Sequence, residues 1–275
     1  LLLNAIYKRV RDVDNFGILF SGGVDSTLLA KCCVLLGKKP TLYTGAVDCG
    51  GRLPPDLVAA EQAAAALRLP LRKKVLTLDD AEHVFEEVVE AIESKDVMKV
   101  GVASPFAVAC TLAEEDGIKV LLSGIGSEEL FAGYERHLII FQKDAEVNEE
   151  CLRGLGEMWE RDLYRDDLIT MRHRVELRTP FLDTDLISFA KDIPSNLKVS
   201  QHRNKSILRT VALKLGVPEA FALRKKQAAQ YGSNFDKALE KLAKQKKFPS
   251  KKAYLESIFM LLFVEGILSG EYVLP

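Results

Sequence analysis

Apolar and polar positions are arranged in two different ways along this chain. From Phe16 to Ser123, short apolar runs are separated by longer stretches whose apolar residues recur at helical spacing. The runs Gly17–Phe20, Thr41–Ala46, Arg72–Leu78 and Lys119–Ser123 read as strands, and Ser26–Leu36, Pro55–Leu67, Ala81–Ile92 and Pro105–Glu115 as helices. Ala81–Ile92 is the clearest, with Val84, Phe85, Val88, Val89 and Ile92 on one side. Ser94–Ser104, which carries Asp96, Lys99 and Gly101 ahead of Pro105, reads as a loop. Regular alternation of strand and helix predicts an α/β fold, a doubly wound parallel sheet covered on both faces.

After about Arg136 the strand signals stop. Lys143–Arg161, Asp183–Lys191, Lys205–Leu215, Phe235–Lys247 and Ala253–Ile267 read as helices, punctuated by Pro180, Pro194, Pro218 and Pro249. The expected organisation is an α/β core over residues 1–143 followed by a helical part over 144–275. No repeat or low-complexity linker separates them, so the halves are expected to pack as one unit.

Composition narrows the function. A net charge of −1 gives no global field to attract nucleic acid or an anionic membrane. Six lysines between Lys241 and Lys252 lack interleaved exposed aromatics and read as a solvated helix face, with Leu239, Leu242 and Phe248 turned inward. Nucleic acid is therefore not an expected partner. Five cysteines (32, 33, 49, 110 and 151) form no C-x-x-C pair and suit a reducing, cytoplasmic setting in which thiols serve as small hydrophobes. The four histidines are scattered, which argues against a Cys/His metal site. Leu1–Ile6 is too short for a signal peptide and is followed by Lys8, Arg9 and Arg11; it reads as the start of an amphipathic helix. Ile258–Val264 is too short to span a bilayer. The chain opens without methionine, so residues upstream are expected.

Candidate chemistry concentrates where the first strand ends. Ile18-Leu19-Phe20 runs into Ser21-Gly22-Gly23-Val24-Asp25-Ser26, and a helix follows. A strand feeding a glycine turn into a helix points free N–H groups and the positive helix end at one place, which favours an anion. Ser21 and Ser26 add hydroxyls, and Asp25 adds a carboxylate suited to Mg²⁺. The β/γ-phosphate loop of P-loop proteins needs Gly-Lys-Ser/Thr, but no lysine follows Gly23 before Lys31. A dinucleotide fingerprint needs a third glycine where Ser26 stands. Ser-Gly-Gly-Val-Asp-Ser instead resembles the pyrophosphate loop of the N-type ATP pyrophosphatases, which split ATP between its α- and β-phosphates and adenylate an acceptor.

The fourth predicted strand runs into a second glycine loop, Ser123-Gly124-Ile125-Gly126-Ser127-Glu128-Glu129. Ligands of open parallel sheets collect beyond the carboxyl ends of strands, where the winding reverses. If strands one and four are neighbours there, both loops line one crevice, and Glu128 and Glu129 stand near Asp25.

Residues 123–137, Ser-Gly-Ile-Gly-Ser-Glu-Glu-Leu-Phe-Ala-Gly-Tyr-Glu-Arg-His, resemble the second signature of the asparagine synthetase family. Glu176-Leu177-Arg178-Thr179-Pro180-Phe181-Leu182-Asp183 resembles its Glu-x-Arg-x-Pro-Phe-Leu-Asp segment, and Arg224-Lys225-Lys226 falls where that family has its catalytic lysine stretch. The resemblance runs from Phe16 to about Ser233 with the motifs in order, and it implies an adenine nucleotide alpha hydrolase-like fold. It implies ATP and Mg²⁺ as cofactors. Ser21, Gly22, Gly23, Asp25 and Ser26 would hold pyrophosphate and Mg²⁺, Ala46 or Val47 would contact adenine, and Ser123 and Gly124 would contact adenosine and the α-phosphate. Glu128 stands where the family usually has a Mg²⁺-binding aspartate. Lys226 would stabilise charge on the α-phosphate and the tetrahedral intermediate, although the residues alone leave Lys225 open. Glu176 and Arg178 read as a structural ion pair.

The implied reaction joins ammonia to a carboxylate, aspartate first, through an acyl-adenylate. The sequence departs from the family at two points. Many members have glutamate where Ile125 stands, and nothing here matches the family's N-terminal glutaminase domain. A different carboxylate or tRNA as acceptor, and a non-catalytic ATP-binding partner of an amidotransferase, are the alternatives. A separate glutaminase subunit and a homodimer are left open as partners.

Overall fold

The computed structural model of the chain describes residues 1–143 and 145–269, with side chains described through residue 262. Five parallel strands form one sheet: β1 (Gly17–Leu19), β2 (Thr41–Val47), β3 (Leu71–Leu76), β4 (Val120–Leu122) and β5 (Glu176–Arg178), in the order β3-β2-β1-β4-β5. Ile18 lies opposite Leu42 on one side and Leu122 on the other. The chain steps outward from β1 to β3 and then crosses back to place β4 against the other edge of β1. The winding therefore reverses between β1 and β4, and a crevice opens there at the strands' carboxyl ends.

The period-two alternation of the strands divides the core between the two faces. Ile18, Phe20, Leu42, Val120 and Leu122 pack with Leu28, Leu29, Cys32 and Cys33 of the helix Val24–Leu35. Leu19, Tyr43 and Leu121 face the opposite side, against Phe85, Val88 and Val89 of the helix Leu78–Ile92 and Phe235 and Leu239 of the helix Phe235–Gln245. Each fully buried side chain of this size contributes about 1.5–3 kcal/mol by leaving water. β3 is one edge of the sheet, and Arg72, Lys73 and Lys74 on it discourage pairing with another strand. All five cysteines are buried and free.

Two elements differ from the sequence expectation. Ser94–Ser104 is not a loop; most of it belongs to a helix from Val97 to Glu115 that carries Pro105 in its interior. Asp96 caps it by accepting from the Lys99 N–H at 2.8 Å. Gly101 lies against Gln230, where a Cβ would come within 3.2 Å of the Gln230 Cβ, so this glycine serves packing rather than a turn. Among the described residues this is the one helix long and apolar enough to cross a membrane, and 56% of that window is buried inside the fold.

The second difference is β5, since strand pairing does not end at Arg136. Three residues followed closely by Pro180 are too few for a periodic signal, and only docking on β4 makes them a strand. Arg178 bonds Glu176 at 2.8 Å, Asp12 at 2.7 Å and the Arg9 carbonyl at 2.6 Å, so it ties β5 to the first helix, Leu2–Val10.

Beyond the crevice, the helix Val147–Met158 continues through a π-helical turn, Trp159–Leu163, into Tyr164–Arg172. Asp144, inside the predicted helix Lys143–Arg161, lies outside the described residues. In the lysine-rich stretch Leu239 and Leu242 are buried, while Lys244, Lys246 and Lys251 pair with Glu240, Glu82 and Asp236.

His173, only 7% exposed, closes this part of the molecule. Its Nδ1 lies 3.2 Å from Glu114 Oε2 and its Nε2 3.1 Å from Glu87 Oε1. Burial pulls the imidazole pKa down, but hydrogen bonding to Glu87 and Glu114 outweighs it and the net shift is upward. A raised folded pKa gives stability that is complete below the unfolded value, about 6.5, and is lost as pH rises through the folded value. His173→Gln is expected to cost about 1–2 kcal/mol near pH 6 and markedly less at pH 9, as read by thermal melting at the two pH values.

Candidate active site

The first glycine loop joins β1 to the helix Val24–Leu35, whose N-cap is Gly23. Gly22 has φ of +67°, and a Cβ there would sit 2.4 Å from the Ala59 backbone, so only glycine makes this turn against the next helix. Ser21 and Ser26 face each other across the turn, hydroxyl to hydroxyl at 3.5 Å. Among the described residues the N–H groups of Val24, Asp25 and Ser26 have no protein acceptor, and they lie at the positive end of a twelve-residue helix.

The second loop leaves the neighbouring strand β4 at the same end of the sheet. A Cβ on Gly124 would lie 3.0 Å from the Asp25 Cβ, so the loops are in contact. Ser123 is buried, its Oγ accepting from the Ile125 N–H at 3.2 Å. The short helix Ser127–Phe131 then presents Glu128 toward Asp25. Glu129 points elsewhere, to Arg161 at 2.6 Å and the Tyr134 hydroxyl at 2.7 Å, so only one of the two glutamates joins the cluster.

Two lysines complete it. Lys205 Nζ donates to both Asp25 carboxylate oxygens at 2.7 Å and to Ser127 Oγ at 2.9 Å, and lies 3.0 Å from Glu128 Oε1. Lys226 Nζ bonds the same Glu128 oxygen. Burial would raise the Glu128 carboxyl pKa, but the ammonium groups of Lys205 and Lys226 outweigh it and hold it well below the usual carboxylate range. Lys226 is opposed by burial too, yet Glu128 and Asp25 raise its pKa. The cluster is thus two carboxylates and two ammonium groups in near balance. Its oxygens surround one cationic centre, the Lys205 ammonium, so the donor set is one that a hard divalent cation also accepts. No group of three or more His, Cys, Asp or Glu side chains suited to a metal occurs among the described residues. Two carboxylates are nonetheless enough for Mg²⁺, which keeps waters and takes phosphate oxygens.

Ser21, Gly22, Gly23, Asp25, Ser26, Ser123, Gly124, Glu128 and Lys226 therefore converge at the β1–β4 crevice. Both Lys225 and Lys226 are exposed, but among the described residues only Lys226 reaches the cluster, through Glu128. Ala46 and Val47 end β2 at the same edge but are 1% and 0% exposed, and the Val47 N–H and carbonyl are bonded to Ser233 and Asn234. They are not part of the charged cluster.

Lys205 is the functional candidate that sequence reading missed. It has φ of +54° and precedes the helix Ser206–Lys214, where a cation opposes the helix dipole. That unfavourable placement is the one signal in the sequence. Its side chain is 1% exposed and crosses the face of Gly133, where a Cβ would come within 2.2 Å of Lys205 Cε.

Arg224 is a second omission. It bonds the Ser21 carbonyl at 3.1 Å and Asp56 at 2.7 Å, and so lays the Lys226 segment on the first loop.

The asparagine synthase family pattern matches residues 1–142 and 139–268. A Methanocaldococcus jannaschii protein provisionally named glutamine-hydrolyzing asparagine synthetase 1 is 38% identical over 94% of this chain and 53% of its own length. The glutamine-hydrolyzing asparagine synthetase of Gallus gallus is 32% identical over 74% of this chain and 36% of its own. Among solved structures, the NMN synthetase of Francisella tularensis aligns loosely, with a TM-score of 0.46 and 11% identity over 100% of this chain and 94% of that one. The chain belongs to the asparagine synthase family. It spans about half the length of the first of these relatives.

Gly133→Ala is expected to displace Lys205 and cost about 1–3 kcal/mol. Lys205→Ala removes the obstacle, so the double variant should lose less stability than the two single losses added together. Denaturant titration of the four proteins measures this coupling.

Proposed function

We propose that this chain is an ATP-dependent amide-forming ligase. It activates a carboxylate, aspartate in the first instance, as an acyl-adenylate with release of pyrophosphate, and ammonia then converts the adenylate to the amide and AMP. The observation that carries this reading is the meeting of two serine–glycine loops, two carboxylates and two lysines at the reversal point of the sheet. Membership of the asparagine synthase family supports it.

In this reading the unpaired N–H groups of Val24, Asp25 and Ser26, with the Ser21 and Ser26 hydroxyls, cradle the β- and γ-phosphates. The α-phosphate lies beside Ser123 and Gly124, and the buried Ala46 and Val47, with the Val47 main-chain groups already bonded, offer adenine no contact. Asp25 and Glu128 would hold Mg²⁺, which supplies charge neutralisation for the departing pyrophosphate. Lys205 and Lys226 exchange their carboxylate partners for phosphate oxygens as the triphosphate settles. The acceptor carboxylate attacks the α-phosphorus, breaking its bond to the bridging oxygen. Lys226 then stabilises the oxyanion formed when ammonia adds to the acyl carbon, until AMP leaves. Fixing both reactants between the loops supplies orientation as well as charge. The product would place the chain in asparagine biosynthesis. The five buried free thiols support a cytoplasmic setting.

Ile125 favours a second reading. It is partly exposed in the second loop beside Ser123 and offers the acceptor no charge, so a carboxylic acid other than aspartate is the alternative substrate. ATP–pyrophosphate exchange across a panel of carboxylic acids separates the readings. Exchange with aspartate supports asparagine synthesis, exchange with another acid alone supports the second reading, and ATP binding without exchange defeats both. Lys226→Met should lower turnover by about 10²–10³-fold, the loss usual for one charge-stabilising donor, and near-wild-type turnover would remove Lys226 from the mechanism.

A further inference from the structure

Lys205 and Lys226 meet at one carboxylate oxygen but reach it from segments that share no secondary structure. Lys205 is held in a left-handed backbone conformation ahead of a helix. Lys226 lies between the short helix Glu219–Ala222 and the next one, Ala229–Gly232. Among the described residues the N–H groups of Lys225, Lys226 and Gln227 make no hydrogen bond to the protein. Something else must set the distance between the two ammonium groups, and one buried side chain touches the backbone of both segments.

That side chain is Arg209, which is 3% exposed. Its Nε donates to the Asn204 carbonyl at 2.9 Å and its Nη2 to Asn204 Oδ1 at 3.2 Å, one residue before Lys205. Its Nη1 donates to the Ala222 carbonyl at 2.7 Å and to the Arg224 carbonyl at 2.9 Å, two residues before Lys226. Asn204 is in turn fixed to the end of the second loop through the Gly133 carbonyl at 2.7 Å. A planar guanidinium with donors at fixed angles locks two backbones at one spacing, which a single rotatable ammonium cannot do. Burial depresses the Arg209 pKa, with the Asp25 charge working against that. Among the described residues Arg209 makes no ion pair, and its donors go to neutral oxygens of these two segments.

We propose that Arg209 is a positioning residue that fixes the spacing of Lys205 and Lys226 over Asp25 and Glu128, so that both ammonium groups meet the same polyphosphate. This rests on the ligase reading for its consequence in turnover, but not for its geometry. Arg224 has a narrower part, since its side chain anchors only the Lys226 segment, through Ser21 and Asp56.

The test uses the full chain with Arg209→Lys and Arg224→Met, treated with an amine-acylating reagent and read lysine by lysine by mass spectrometry. Arg209→Lys is expected to raise the labelling rates of both Lys205 and Lys226, and Arg224→Met that of Lys226 alone. Lys251, half-buried, paired with Asp236 and on a helix that packs against other elements, is the internal control and should be unchanged in both.

In ATP–pyrophosphate exchange, Arg209→Lys should lower kcat by about 10²-fold, the scale of loss from misplacing reacting groups by about 1 Å, with KM for ATP changed little. Unchanged labelling of Lys205 or Lys226 in Arg209→Lys overturns the proposal. So does a parallel rise at Lys251, which would mark a general loosening, or a kcat within about threefold of wild type. Absence of exchange in the wild-type chain would refute the ligase reading, and the labelling would still decide the positioning role.

Discussion

The contact between the two glycine loops is the constraint on which the rest of this structure depends. It exists because β4 returns to the free side of β1 rather than continuing beyond β3, so two strand ends separated by about a hundred residues of chain become neighbours. Contact at the Cα level brings two carboxylates together, and such a pair is costly in a partly dry crevice unless cations accompany it. The lysines meet that requirement. The helical half is therefore joined to the sheet electrostatically as well as by packing, since both lysines come from it and both carboxylates from the loops.

The same balance gives the crevice its capacity to respond. Each ammonium group already has a carboxylate partner, and on the proposed reading it would pass from that partner to an incoming phosphate. On the proposed ligase reading, each carboxylate released in that exchange would become free for a metal ion brought with the nucleotide. The arrangement pre-organises charge while leaving its pairing open.

Most of the α/β architecture was legible in the sequence because strands buried on both faces and amphipathic helices leave periodic traces. Ala81–Ile92 and the apolar run before Ser21 are of this kind. The glycine loops were legible for a different reason: their chemistry is local, and Gly22 must be glycine whatever surrounds it. What escaped was set by distant partners. Gly101 and Pro105 look like breakers until Gln230 and the sheet explain them. β5 is a strand only because β4 is there. Lys205 reads as one more polar residue before a helix, since its duty depends on Asp25, 180 positions away. Glu129 looked equivalent to Glu128, yet on a helix adjacent residues point about 100° apart, and one turned inward while the other met Arg161.

The π-helical turn at Trp159–Leu163 carries a consequence for how this fold can vary. One surplus residue in a continuous helical rod rotates everything downstream about its axis relative to an unbroken helix. Val147, Cys151 and Met158 bury themselves on one heading before the turn, and Asp166, Ile169 and Thr170 on another after it. Excising a single residue there would leave a straighter, more regular helix whose two halves could no longer both find their seats. The irregularity is a phase adjustment, and in this family member a more ideal helix would make a poorer protein.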